Sequence, residues 1–213
     1  MKDIYIVLIK AHTGLGSIAR RLTGYPYTHI AVSLDRSMTD FISYSRRYHY
    51  FPFDAGYTHE YRDYYAFGSY ERFGAKVFRL RLSEEGYAEV MDFIRNCEND
   101  KAQLFNIFSM ATMPVIGGFR IYRANNCMSF TARVIEKSGC VRLEKPFYRY
   151  SIKDMDLLLG KFAVFEGSIR KRRQDSHGDY MRSFGPLKFF SDMAKLVFPL
   201  TFRLIFRRPE NMD

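Results

Sequence analysis

An α+β fold with a mostly antiparallel sheet is what this chain predicts, and three observations carry the prediction. Short apolar runs rich in β-branched and aromatic residues recur at Asp3–Ile9, Thr28–Leu34, Phe41–Arg46, Ala75–Leu82 and Lys161–Glu166. Two stretches, Ser83–Cys97 and Cys127–Lys137, combine helical spacing with start and stop signals. The resulting order is strand, helix, hairpin, loop, strand, helix, helix, strand, which reads as α+β.

Each element has a local reason. Asp3–Ile9 is a continuous apolar run and reads as a buried first strand. Gly14–Leu22 predicts a short helix that ends at Thr23-Gly24-Tyr25-Pro26. Thr28–Leu34 alternates, Asp35-Arg36-Ser37 is turn chemistry, and Phe41–Arg46 is the return strand. Residues 44–70 hold eight of the chain's 16 tyrosines among Pro, Gly and Asp, which predicts a long ordered loop. Ala75–Leu82 alternates again. Ser83 is an N-cap with Glu84 and Glu85 in the first turn of a helix reaching about Cys97. A mixed segment, Leu104–Met113, is closed by Pro114 and Gly117-Gly118. The helix Cys127–Lys137 follows Asn125-Asn126 and stops at Ser138-Gly139. A short helix over Ser151–Leu159 and a last strand ending at Gly167 complete a domain of residues 1–168. A basic polar linker, 169–185, and an amphipathic tail, 186–208, follow.

The chain has 213 residues, 47% hydrophobic and 26% charged, so its core needs no disulfide or metal staple. The 17% aromatic content excludes a mostly disordered chain, and three cysteines do not make a disulfide framework. A net charge of +10 admits phosphate-rich partners, either nucleic acid or an anionic membrane. Residues 167–213 hold ten Lys/Arg against five Asp/Glu, so the last quarter is the basic part.

Ile4–Ile9 is too short for the core of a signal peptide. Leu187–Phe206 is interrupted by Lys188, Asp192, Lys195 and Arg203, whereas a spanning helix needs ~20 apolar residues. A cytoplasmic protein, with a peripheral place at the membrane surface, is the expectation. In the tail, Phe189/Phe190, Met193, Leu196/Val197, Leu200 and Leu204 form an apolar stripe, and Pro199 should kink it or start a second helix. The stripe suits an anionic membrane, or packing on the domain or on a second subunit. The Arg170–Arg173 cluster could hold nucleic-acid phosphates, but no nucleic-acid-binding motif accompanies it, and a solvated linker is the simpler reading. No cofactor is implied. The five histidines are scattered without metal-ligand spacing, and Gly14-Leu15-Gly16 lacks the rest of a phosphate loop.

One constellation carries chemistry. Cys127 opens a predicted helix, where the dipole and free N–H groups favour a thiolate. A thiol nucleophile needs a base, and His29, at the start of a predicted strand, is the best placed of the histidines. On the return strand, Asp40 and Ser43 are the polar candidates to orient it, with strand register choosing between them. A cysteine at a helix start also serves simply as a small buried residue, and Cys97 and Cys140 are read that way.

The segments Tyr27-Thr28-His29-Ile30-Ala31-Val32-Ser33-Leu34-Asp35 and Asn126-Cys127-Met128-Ser129-Phe130-Thr131-Ala132 resemble two blocks of the circularly permuted papain-like, NlpC-type superfamily. That group includes YiiX-like proteins and relatives of the lecithin retinol acyltransferases. Phe41-Ile42-Ser43-Tyr44-Ser45-Arg46-Arg47 and Val164-Phe165-Glu166-Gly167 resemble two further blocks of an uncharacterised bacterial branch. The resemblance covers roughly residues 3–168. It implies a permuted papain-like fold with Cys127 as nucleophile, His29 as base, and the third position, often His or Glu in relatives, on Ser43. The activity it implies is thiol-dependent hydrolysis or acyl transfer on a peptide amide or a lipid ester. Because a hydroxyl at Ser43 supplies no carboxylate charge, a lipid- or peptide-binding relative without turnover is the alternative.

Overall fold

The computed structural model describes residues 1–12, 14–66, 69–172 and 177–207. Its strands are β1 (Lys2–Lys10), β2 (His29–Ser33), β3 (Asp40–Tyr48), β4 (Phe51–Tyr61), β5 (Arg72–Leu82), β6 (Leu104–Phe105), β7 (Ala124–Asn125) and β8 (Ala163–Arg170). Six of them form one sheet in the order β4-β3-β2-β1-β5-β8, with every neighbouring pair antiparallel. β6 and β7 form a small parallel pair. The helices are α1 (Gly14–Thr23), α2 (Glu84–Asn99), α3 (Ile107–Ile116), α4 (Cys127–Ser138), α5 (Ile152–Leu159), α6 (His177–Tyr180) and α7 (Pro186–Phe206). The α+β class and the antiparallel sheet are as the sequence predicts.

β1 is unbroken in its apolar character because both faces of the sheet are covered. Ile4, Ile6 and Leu8 join Ile30, Val32, Leu80 and Leu82 against Val90 and Ile94 of α2 and Phe130 and Val134 of α4. Tyr5, Val7 and Ile9 join Ala31, Phe41, Phe73 and Val77 beneath Tyr64, Tyr65 and Tyr180. α2 and α4 lie so close that a Cβ on Gly86 would stand 2.5 Å from the Ser138 carbonyl oxygen. The helix ends form as their sequences predict. The Ser83 hydroxyl accepts from the Gly86 N–H, and Gly139 closes α4 at φ +67°.

Several expectations are corrected. The loop predicted over 44–70 contains β4, which pairs with β3 from Asp40↔Tyr61 to Tyr48↔Phe51. The turn at His49-Tyr50 carries none of the Gly, Asn, Asp or Pro that signals a hairpin, so propensity gave no sign of it. The mixed segment after Leu104 resolves into β6 and α3, with Pro114 inside the helix. The last strand continues past Gly167 to Arg170, paired along β5.

The ends of the expected linker are also structured. Lys171 Nζ meets Glu71 at 2.8 Å, and Tyr180 stacks on Tyr64 while its carbonyl accepts from the His49 N–H. Arg173 of the basic cluster lies outside the described residues. α7 runs through Pro199 as one helix because Leu196 and Leu200, on either side of it, are anchored in the core. Part of the predicted tail stripe therefore packs on the domain. Among the described residues, no helix is long and apolar enough to cross a membrane.

Candidate active site

Cys127 is the first residue of α4 and is buried. Its position is set by the residues just before it. The Asn126 side chain accepts from the Ser129 N–H at 2.9 Å, and the Ser129 hydroxyl accepts from the Asn126 N–H at 2.9 Å. This reciprocal cap satisfies two donors of the first turn and fixes the helix start. Asn125 in turn accepts, through its carbonyl, from the Asn106 N–H at 2.8 Å. Asn126→Ala is expected to lose about 1 kcal/mol of stability, the usual worth of a helix cap, measurable by urea unfolding.

His29 is the first residue of β2, paired with Ile9 at the end of the β1 ladder. The β2–β3 register is confined to Val32↔Ile42, and beyond it the Ser43 hydroxyl donates to the Ile30 carbonyl at 3.1 Å. Near His29 the two strands therefore part, and the imidazole meets groups from other elements. Its Nε2 lies 2.7 Å from Oε2 of Glu60, a buried carboxylate on β4. The ring also lies against Tyr65, with centroids 5.9 Å apart, and the Cys127 side chain is near enough to favour its charged form. With Nε2 committed to Glu60, Nδ1 is the nitrogen left for sulfur.

A buried carboxylate needs its lone pairs satisfied. Ser45 Oγ donates to Glu60 Oε1 at 2.7 Å, and the Tyr65 hydroxyl donates to Oε2 at 3.1 Å. Burial disfavours an imidazolium, yet the Glu60 carboxylate and Cys127 outweigh it and push the His29 pKa up to about 10. Burial likewise opposes the Glu60 charge, but His29 and the two hydroxyl donors hold its carboxyl below the ordinary range. Burial, followed by the neighbouring Glu60 charge, raises the Tyr65 phenol well above its ordinary value, so it stays a donor.

The chain matches no protein-family model, no curated protein and no solved structure. The geometry alone therefore speaks for the site.

It brings together two of the residues the sequence singles out, Cys127 and His29, and replaces the third. Ser43 is buried with its hydroxyl on the Ile30 carbonyl. Asp40, the other candidate, pairs with Nδ1 of His59 at 2.8 Å. The carboxylate on His29 is Glu60, which sequence reasoning missed because its strand was read as loop. The available signal was the extended run Phe51–Tyr61, in which Glu60 lines up with Phe41 of β3.

The other two cysteines differ in setting. Burial pushes the Cys97 thiol up to about 11, and Cys140 donates to the Arg81 carbonyl at 3.2 Å. Glu166 accepts from the Tyr27 hydroxyl at 2.8 Å, and Arg46 donates to the His49 carbonyl at 2.7 Å. Among the described residues, no group of His, Cys, Asp and Glu is arranged to hold a metal ion. Two surface cavities, one beside Arg142, Tyr150 and Lys161 and one beside Cys97, Asp100 and Arg133, are lined by neither Cys127 nor His29.

Proposed function

We propose that this chain is a thiol-dependent hydrolase or acyltransferase acting on an amide or ester bond, with Cys127, His29 and Glu60 as its working residues. The observation that carries the reading is an imidazole held between a buried carboxylate and a thiol at a helix N-terminus. The order of these elements, His strand before Cys helix, is that of a permuted papain-like domain over residues 1–168. The substrate class is a peptide or a lipid ester.

The electrostatics choose the form of the nucleophile. With its pKa at about 10, His29 is an imidazolium at neutral pH. An imidazolium cannot accept a thiol proton. The attacking species is the sulfur of Cys127 without its proton, beside protonated His29. The thiolate attacks the carbonyl carbon, and the Cys127 N–H in the first turn of α4 would serve as one donor to the developing oxyanion. His29 then gives its proton to the leaving amine or alkoxide, and a thioester remains on Cys127. Water or a second acceptor, deprotonated by the now neutral imidazole, attacks the thioester and restores the pair. Glu60 keeps the imidazole oriented and favours its charged form between the two proton transfers.

Two variants test the reading in a Cys97→Ser/Cys140→Ser background. Cys127→Ala should abolish turnover of peptide or lipid-ester substrates while leaving the melting temperature nearly unchanged. His29→Ala should slow alkylation of Cys127 by iodoacetamide at neutral pH by about 10-fold or more, because the thiolate loses its counterion. Alkylation that ignores His29, together with a Cys127→Ala protein that loses several degrees, would make the cysteine structural.

A further inference from the structure

α7 has two apolar faces. The inner face, with Leu196 and Leu200, is buried in the domain core. It is pinned at one end by Lys188, which bridges Asp54 and Asp192, and at the other by Arg203, which donates to the carbonyls of Ala102, Tyr122 and Arg123. The outer face is exposed. Leu187, Phe190, Phe198, Phe202 and Ile205 follow one line at helical spacing and are 56–85% accessible, and Phe206 flanks them. A row of this size is well beyond the scattered apolar side chains of an ordinary surface.

The exposed charge of the helix itself is of one sign. Asp192 is the only acid between Pro186 and Arg207, and it is buried against Lys188 on the inner side. Lys195 of the helix and Arg207, which caps its C-terminus, are the exposed charges, and the whole chain carries +10. Such a surface repels a second copy of itself and suits an anionic one. The helix is about 30 Å long and is held along the domain, so it can lie in an interface but not cross it.

We propose that the outer face of α7 docks this protein on an anionic lipid surface, with Phe190, Phe198, Phe202 and Ile205 entering the acyl boundary and Lys195 and Arg207 meeting headgroups. The N-terminal half of the helix sits at the start of β4, where Phe189 packs on Phe53 with ring centroids 5.2 Å apart.

Flotation of the full chain with vesicles of phosphatidylcholine alone and of phosphatidylcholine mixed with phosphatidylglycerol tests this. Binding is expected on the mixed vesicles only, and is expected to weaken as salt rises. Phe198→Ser/Phe202→Ser should lower the partition coefficient about 100-fold with an unchanged melting temperature, since both rings already face solvent. Lys195→Glu/Arg207→Glu should also abolish binding. Truncating the tail is the poorer test, because it strips Leu196 and Leu200 from the core. Cys127→Ala should float like the parent, which separates docking from the catalytic reading. The proposal is overturned by a parent chain that stays with neither vesicle, or by equal flotation of the Phe198→Ser/Phe202→Ser protein. It is equally overturned by a concentration-dependent dimer that this double substitution dissolves.

Discussion

Glu60→Gln should turn the protein into one whose alkaline limit of activity lies far lower. The substitution keeps the shape of the side chain and removes its charge. Without the carboxylate, burial is the main force on His29, and burial lowers an imidazole pKa. The imidazolium that protonates the leaving group would then disappear at a pH well below the parent's value of about 10. At mildly alkaline pH the loss of turnover should reach about 10²–10⁴-fold, the range seen when an imidazole loses its orienting carboxylate.

Stability should follow the same pair. The His29 pKa is raised by folding, so its contribution is fully present below its unfolded value of about 6.5 and fades as pH rises through about 10. The Glu60 pKa is lowered, so its contribution is present above the ordinary carboxylate value and is lost as pH falls through the folded one. The two are one interaction seen from both partners. The gap between the parent and Glu60→Gln should therefore be widest at about pH 5–6. There, breaking a buried pair costs about 3–5 kcal/mol, and the gap should narrow toward pH 10. Urea unfolding across that range measures it. A gap independent of pH would mean that His29 is not charged in the folded protein.

Phe130→Ala should give the largest loss of stability that involves no charge. Phe130 is fully buried on α4, with ring centroids 5.4 Å from Tyr44, 6.2 Å from Tyr57 and 5.7 Å from Phe93. It joins the helix that begins at Cys127 to β3, β4 and α2. Removing the ring leaves a cavity that three aromatic neighbours on separate elements cannot close together. The expected cost is about 3–5 kcal/mol. For a chain of this length that is a fall in melting temperature of roughly 6–20 °C, readable by calorimetry. Because the ring also seats the Cys127 end of α4 on the sheet, activity per folded molecule should fall too. A shift of under about 1 kcal/mol would mean that α4 is not packed through this residue.

What the chain determined by itself was local. Ser83, Asn126, Ser151 and Gly139 stand where caps form, and their capping bonds lie within three residues, so no distant partner was needed to read them. The run Ile4–Ile9 announced a buried strand. Cys127 and His29 were legible because a helix start and a strand start are themselves local features.

Glu60 was not legible in this way. Its role depends on β4 folding back on β3 through a turn without turn residues, and on the parting of β2 from β3 beyond Val32. Those events bring Glu60 to His29 across 31 residues of chain. Ser43 shows the same limit from the other side. It lies on the expected strand, but its hydroxyl is taken by the Ile30 carbonyl. The two faces of α7 carry the lesson further. Helical spacing placed the apolar residues in the sequence, but which of them meet the core and which meet solvent was decided by where the helix lies against β4. A side chain's polarity is written locally, whereas its partner is chosen by long-range pairing that only the packed sheet supplies.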